Sequence, residues 1–308
     1  MKDAIDRRLR TKAQPSKTCF VRQERDNQIV LALKRHKGPL PASLIHPFWK
    51  GDSVGSLHTL QKRLTPMFHG TVGMDPLIVR PNALNPMYGA KCNASWYDLS
   101  EIGLALARGM DQRPYRAPKR DNFHHRAMGA CISASFEQEA PQHGLRFIQL
   151  EEILAHPKCP AHTRASPSPL LIPLFKGKLE PDDLFGLEYE TAFRFFFRED
   201  DRGTESINRK DDLQNSIKDK LEKYESLFSS KAYQEHFGFT NACVIFFTTI
   251  PGRVESMKAE VKGSRYADKF LFKVMPTFGI HEWRAPKAPL DVFSPYITGN
   301  GHRDLTQP

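Results

Sequence analysis

Residues 192–205 read AFRFFFREDDRGTE, and the predicted fold of the second half of the chain follows from this segment. It contains three consecutive phenylalanines, Phe195 to Phe197, a run too apolar for a strand with one face in water. The run therefore predicts a central strand of a sheet. The segment continues with acidic residues from Glu199, and Gly203 favours a turn where the strand ends. The sequence thus predicts acidic side chains at one edge of a buried sheet.

Helices and strands alternate around this strand over residues 122–280. Apolar β-rich runs predict the strands, and periodic segments with charged faces predict the helices. The further strands are expected at GLRFIQL (144–150), LLIPLF (170–175), LFGLEY (184–189), ACVIFFTTI (242–250) and KFLFKVM (269–275), and the helices at 122–137, 206–229 and 254–262. This order predicts an α/β domain on a mixed sheet, followed by an irregular Pro/Gly-rich tail over 281–308.

Acidic residues stand at the ends of two of these strands. Asp182 follows Pro181 at the start of one strand, and Glu199 and Asp201 end the next. If the three carboxylates converge, a divalent cation such as Mg²⁺ (or Mn²⁺) would neutralise them and activate water against a phosphodiester. Lys218 or Lys220 of the following helix would then assist. The alternative is structural: the acids cap a helix or pair with neighbouring arginines, namely Arg194, Arg198 and Arg202.

The first half of the chain is strongly basic. Residues 1–120 hold 21 Lys/Arg against 9 Asp/Glu, whereas residues 121–308 hold 24 against 26. A basic half joined to a nearly neutral half indicates that the basic half meets a polyanion, and double-stranded DNA is the partner we expect. Arg80, Lys91, Arg116, Lys119 and Arg120 are further candidates for phosphate contacts.

The order of elements within residues 21–110 is typical of a winged helix-turn-helix. One helix is predicted over 26–36 with Asp26 or Asn27 as its N-cap, and another over the segment that carries Leu57, Leu60 and Leu64. The polar face of this later helix is the expected DNA-reading surface, made of Ser56, His58, Thr59, Gln61, Lys62 and Arg63. PLIVRP and NASWYDL then predict the two strands of a wing, and Ser100 caps a closing helix. A plain three-helix bundle with a solvated basic face is the alternative.

Composition restricts the class of protein. Five scattered cysteines without a CxxC pair support neither a disulfide framework nor a zinc ribbon, and His156, Cys159 and His162 have only chance metal-ligand spacing. No apolar run is long enough to span a membrane, and the charged N-terminus has no signal-peptide pattern. We therefore expect a cytoplasmic protein with no membrane partner. The predicted organisation is a basic tail (1–20), a winged-helix domain (21–110), a basic linker (111–121), an α/β domain (122–280) and the irregular tail (281–308).

The predicted α/β domain resembles the PD-(D/E)XK nuclease fold, with Asp182 on one strand and Glu199 on the next. The match is imperfect, because Glu199-Asp200-Asp201 gives E-x-D where that fold has E-x-K, so Lys218 or Lys220 would have to replace the missing lysine. Over roughly residues 25–275 the chain also resembles the replication-relaxation family of plasmid and mobile-element proteins. This resemblance rests on Trp96-Tyr97-Asp98-Leu99, His124 or His125, Pro181-Asp182, Phe196 to Glu205, and Lys220-Leu221 with Tyr224. It implies a DNA-binding role in replication, relaxation or transfer of a mobile replicon.

Three hypotheses follow from the sequence. The first is a DNA-binding protein of the replication-relaxation type with a Mg²⁺-dependent nicking site at Asp182, Glu199 and Asp201. The second is a non-catalytic replication or transcription regulator whose α/β domain mediates dimerisation or partner docking, and a homodimer is compatible with the first hypothesis as well. An RNA-binding factor is the third, although the sequence shows no aromatic stacking sheet. Tyr224 is a candidate nucleophile, but the pattern favours its packing against the sheet.

Overall fold

A computed structural model describes residues 12–15, 20–49, 55–84, 94–115, 122–203, 217–278 and 283–308. The chain forms two compact units. The first contains Met1–Gln138 and Arg284–Leu290, and the second contains Glu139–Trp283 and Asp291–Pro308. The division therefore falls after residue 138, whereas the sequence predicts a linker over 111–121.

The first unit contains five helices and three short strands among its described residues. They are α1 (Glu24–His36), β1 (Leu40–Pro41), α2 (Ala42–Ile45), α3 (Leu57–His69), β2 (Ile78–Val79), β3 (Trp96–Leu99), α4 (Glu101–Met110) and α5 (Phe123–Glu139). The strands form an antiparallel sheet in the order β1-β3-β2. Short 3₁₀ turns at His46–Phe48 and Asn82–Leu84 complete the described elements of this unit.

Polar side chains at the N-caps explain where these helices begin. Ser56 accepts a hydrogen bond from the Thr59 N–H at the start of α3. Ser100 accepts one from the Gly103 N–H at the start of α4, and the sequence predicts this cap. The predicted N-cap of α1 is wrong: the cap is Gln23, and the Asp26 carboxylate accepts from the Gln23 N–H. Asp26 is the third residue of the helix, and its contact with the N-cap residue Gln23 forms a capping box.

Helix α5 belongs to the first unit because its buried polar groups find partners there. His36 Nδ1 lies 3.0 Å from Ser133 Oγ, and Arg35 pairs with Glu137 at 2.7 Å. Burial raises the pKa of Glu137, but His36 and Arg35 lower it by more. The pKa is therefore about 2, and this carboxylate is charged. Periodicity identifies the helix correctly, but it does not identify the surface on which the helix packs.

The second unit is built on a seven-stranded mixed sheet, so the chain is a mixed α/β protein. Its strands are β4 (Arg146–Ile148), β5 (Ile172–Pro173), β6 (Lys178–Leu179), β7 (Asp183–Glu188), β8 (Phe193–Asp201), β9 (Cys243–Thr248), β10 (Phe270–Val274), β11 (Tyr296–Thr298) and β12 (His302–Arg303). The order is β12-β11-β10-β9-β8-β7-β4, with β8, β9 and β10 parallel, and β5 and β6 form a separate hairpin. Strands β11 and β12 lie where the sequence predicts an irregular tail.

Among the described residues of this unit, five helices accompany the sheet, and some of them pack on one face of its centre. They are α6 (Leu150–Ala155), α7 (Ala161–Ala165), α8 (Ile217–Ser230), α9 (Ala232–Phe237) and α10 (Pro251–Val261). Phe197 of β8 and Phe246 of β9 pack with Tyr224 of α8 and Met257 of α10 in one apolar core. β8 is central, as its three phenylalanines predict, because β7 and β9 pair with it on either side. The first part of the helix predicted over 206–229 lies outside the described residues.

Candidate functional site

Strand pairing brings the predicted acids of β7 and β8 to the same end of the sheet. β7 and β8 are antiparallel, with Asp183 opposite Arg198, and the Asp182 N–H donates to the Arg198 carbonyl at 3.0 Å. Because side chains alternate along a strand, Glu199 and Asp201 project from one face of β8, and Arg198 and Asp200 from the other. The acidic string is therefore divided between the two faces of the sheet.

Glu199 is a buried carboxyl held between a cation and a phenol. It is 2% exposed, with Lys220 Nζ 3.2 Å from one oxygen and the Tyr224 hydroxyl donating to the other at 2.8 Å. Burial raises the pKa of Glu199 most, Lys220 opposes that rise, and Asp182 adds to it, so that the pKa lies at about 7. A carboxyl with such a pKa can exchange a proton near neutral pH.

The structure distinguishes the two candidate lysines of α8. Lys220 points at Glu199 and is largely buried, whereas the half-exposed Lys218 pairs with Glu260 of α10 at 3.3 Å. Lys220 is thus the lysine that the helix brings to the acid. Tyr224 is fully buried against Phe197 and Phe246, as the sequence favours. Burial, and then Glu199, raise the pKa of Tyr224 well above its ordinary value, so the phenol remains a hydrogen-bond donor.

Asp201 lies on the same face as Glu199, but its side chain is engaged elsewhere. Its Oδ2 atom is 2.6 Å from Arg253 Nε and accepts from the Thr248 hydroxyl at 2.9 Å, while Oδ1 accepts from the Gly203 N–H. These contacts tie the end of β8 to the end of β9 and to the first turn of α10. Asp182, Glu199 and Asp201, all among the described residues, do not form a group of three whose ligand oxygens all lie within 4.8 Å of one another.

Asp200 is the acid that lies beside Asp182, and the sequence does not single it out. The Asp200 N–H donates to Asp182 Oδ2 at 2.9 Å, and one carboxylate oxygen of each residue lies within 4.8 Å of the other. Arg198 binds Asp200 Oδ2 at 3.2 Å and Asp183 at 3.0 Å. Burial would lower the pKa of Arg198, but Asp200 and Asp183 outweigh it and raise that pKa. The pairing of Asp183 with Arg198 places Asp200 beside Asp182, so knowledge of this register would have identified Asp200 from the sequence.

The chemistry of this donor pair fits a hard divalent cation. Asp182 and Asp200 supply carboxylate oxygens, which Mg²⁺ and Mn²⁺ prefer, and Arg198 already offsets part of their negative charge. Asp182 is half-buried, whereas Asp200 is buried at 6% exposure. The second unit therefore offers two adjacent carboxylate ligands, Asp182 and Asp200, in place of the predicted set of Asp182, Glu199 and Asp201.

Helix α3 exposes most of the polar side chains predicted to read DNA. His58, Thr59, Gln61 and Lys62 are exposed, and Ser56 is the N-cap. Arg63 instead makes a bidentate contact with the buried Asp26 of α1, at 2.9 and 2.5 Å. The half-buried Arg80 lies over the ring of Phe68 and donates to the Tyr97 hydroxyl at 3.0 Å. The remaining predicted contacts, Lys91, Arg116, Lys119 and Arg120, lie outside the described residues.

The sequence offers two other groups of candidate residues, namely His156, Cys159 and His162, and the adjacent pair His124 and His125. His156, Cys159 and His162 form no metal-ligand cluster among the described residues, and the Cys159 thiol lies 3.9 Å from the Pro160 carbonyl. The Asn122 side chain accepts from the backbone N–H groups of His124 and His125, which places both histidines at the start of α5.

Comparison with known proteins gives no match: no family model, no curated protein and no solved structure is similar to this chain. Within the described ranges, the helices are all too short or too polar to cross a lipid bilayer.

Proposed function

We propose that this protein is a DNA-binding protein of the replication-relaxation type and that it nicks double-stranded DNA with the help of a divalent cation. The observation that carries the proposal is the contact between Lys220 and Glu199. The nuclease pattern in the sequence lacks its lysine after Glu199, and α8 supplies a lysine to that same carboxylate, 3.2 Å away. In the proposed nuclease, this contact would compensate for the departure from the PD-(D/E)XK pattern.

The first unit supports the DNA-binding part of the proposal. Its elements run α1-β1-α2-α3-β2-β3 with the sheet order β1-β3-β2, and this order supports the proposed winged helix-turn-helix. In that arrangement α3 is the helix that enters the major groove, and its exposed side chains are polar or basic. Gln61 offers a bidentate amide for a base edge, and Lys62 offers a charge for phosphate.

The second unit supports the nicking part through the roles that its side chains can fill. Asp182 and Asp200 would hold Mg²⁺ or Mn²⁺, which supplies an activated water and neutralises charge on the phosphate. Glu199, with its pKa at about 7, lies on the opposite face of β8 from Asp200 and would exchange a proton at the same end of the sheet. Lys220 would donate a hydrogen bond to a phosphate oxygen as negative charge develops there.

A second candidate function, a non-catalytic replication or transcription regulator, is favoured by a different observation. Both oxygens of Glu199 are engaged by Lys220 and Tyr224, and Asp201 is neutralised by Arg253. In this candidate function, acids paired so completely serve to fix the fold. In that case the second unit would mediate dimerisation or partner docking.

Nicking of supercoiled plasmid in Mg²⁺ or Mn²⁺, with EDTA as the blank, distinguishes the two candidates. We expect Lys220→Ala to lower the nicking rate about 100-fold or more, because it removes a donor to the developing charge. Lys218→Ala is the matched control, since Lys218 lies on the same helix and pairs with Glu260, and its rate should change less than about twofold. DNA binding is measured in parallel. Binding without nicking on any DNA supplied would establish the regulator instead.

A further inference from the structure

The hairpin β5-β6 carries an aromatic side chain that the rest of the second unit leaves in water. Phe175 is 94% exposed, the highest value for any large apolar residue in the part of the chain that the structure describes. Phe193, at the start of β8, is 48% exposed by comparison. The exposure of Phe175 is set by the backbone, because the Leu174 N–H donates to the Gly177 carbonyl at 3.1 Å and closes a tight turn. Gly177 adopts φ 80°, which favours glycine at this tip.

The hairpin is anchored, so its tip is held out by a rigid base. Ile172 and Leu179 face each other across the two strands and are buried in the core of the unit. β6 packs against α8, the helix that carries Lys220, and β5 packs against α9. A ring presented by such a base loses little conformational freedom when it binds a partner.

The charge and position of the tip indicate what it binds. Lys176 and Lys178 flank the ring and are exposed, and residues 170–179 contain no acidic residue. Asp182 follows Lys178 by only four residues, which limits the separation of their Cα atoms to about 14 Å. At about 3.4 Å per nucleotide, a DNA strand at Asp182 comes within a few nucleotides of the hairpin.

We infer that Phe175 stacks on an unpaired base of the DNA strand that runs past Asp182, with Lys176 and Lys178 on its phosphates. The inference rests on the proposed function and gives its substrate class: single-stranded or locally melted DNA beside the site of nicking. Stacking needs only one aromatic face and tolerates any base. A membrane anchor would need a larger apolar surface than one ring at a turn.

Binding of single-stranded DNA in EDTA tests the inference without requiring any cleavage. Fluorescence anisotropy is measured with full-length protein and a labelled strand of about 12 nucleotides, a length within the usual range of single-strand sites. We expect Phe175→Ala to weaken binding about tenfold, the usual effect of losing one stacked base, and Phe175→Trp to restore it. Phe193→Ala is the matched control, an exposed phenylalanine at the far end of β8, and should leave the Kd unchanged.

A strand of the same length without bases isolates stacking from charge. The wild type should bind the base-bearing strand about tenfold more tightly than the abasic strand, and Phe175→Ala should lose most of this preference. Equal binding of both strands by the wild type would overturn the inference, and so would wild-type affinity in Phe175→Ala. Phe175-dependent binding to phosphatidylserine vesicles, without an effect on DNA, would overturn it in favour of a membrane surface. Absence of nicking alone would contradict the proposed function and leave these binding results standing.

Discussion

At the scale of single residues, Glu199 shows how burial and charge compete at one carboxyl group. Removing the group from water penalises its charged form, and Lys220 at 3.2 Å offsets only part of that penalty. Asp182 contributes further negative charge, which favours the neutral carboxyl. The balance leaves Glu199 able to lose or gain a proton close to neutral pH.

This balance predicts that Glu199 makes the fold less stable as the pH rises. The ordinary pKa of 4.5 is raised to about 7 in the folded protein, so between these values the folded state binds a proton that the unfolded chain has released. The free energy of unfolding, relative to Glu199→Gln, should therefore fall between pH 5 and pH 8, by on the order of 3 kcal/mol. Urea unfolding of both proteins at several pH values measures it.

The control for this prediction is Glu222→Gln, which removes an exposed carboxyl from α8, the helix that carries Lys220. Any effect of Glu222→Gln on the pH dependence shows how much the loss of a charge from α8 contributes by itself. A difference between wild type and Glu199→Gln that is constant with pH, or that grows as the pH rises, would contradict the predicted direction.

The identity of the acids could be predicted from the sequence, but their partners could not. Glu199 and Asp182 stand out because they border apolar strands. Whether Asp200 or Asp201 lies beside Asp182 depends on the pairing of β7 with β8, and a shift of one residue exchanges the faces of the sheet. Arg253, which neutralises Asp201, comes from a helix about fifty positions later, and no local pattern connects the two.

At the scale of elements, α3 has an exposed polar surface and a packing surface, and adjacent basic residues belong to different surfaces. Lys62 is exposed, whereas Arg63 reaches back to the buried Asp26 of α1. The helical pattern predicts both as DNA contacts. It cannot distinguish them, because the direction in which a long side chain turns depends on its tertiary partner. Likewise Leu57, assigned to the apolar face, is 38% exposed.

This division of α3 predicts opposite effects for the two residues. Lys62→Ala should lower the salt dependence of duplex binding by about one phosphate contact and leave the melting temperature unchanged. Arg63→Ala should leave that salt dependence unchanged but lower the free energy of unfolding by about 3 kcal/mol, since Asp26 stays buried without its cation. Fluorescence anisotropy over a salt series and thermal unfolding measure the two effects. Arg108→Ala, an exposed arginine of α4, is the control. An unchanged salt dependence in Lys62→Ala would remove α3 from the DNA contact.

At the scale of the whole molecule, the C-terminal segment is the largest difference between sequence and structure. Its Pro/Gly-rich composition predicts an irregular tail, but Arg284–Leu290 belongs to the first unit and Asp291–Pro308 to the second. In the first unit the Leu290 N–H donates to Ser135 Oγ at 2.8 Å. In the second, β11 and β12 extend the sheet beyond β10. Strands of three and two residues are too short for periodicity to reveal, and only the sheet edge at β10 specifies them.

Because of this arrangement, removal of residues 291–308 should unfold the second unit. Val292, Phe293, Tyr296 and Leu305 are buried there, and the Leu305 carbonyl accepts from the buried Tyr189 hydroxyl at 2.8 Å. Each large side chain contributes about 1.5–3 kcal/mol by burial, so the loss of four approaches the whole stability of a typical domain, about 5–15 kcal/mol. Limited proteolysis should cleave the second unit of the truncated chain rapidly. Removal of Gln307 and Pro308, both exposed, is the control and should leave the digestion pattern unchanged. A chain ending at Leu290 that melts at the temperature of the full-length protein would show that the second unit does not depend on this segment.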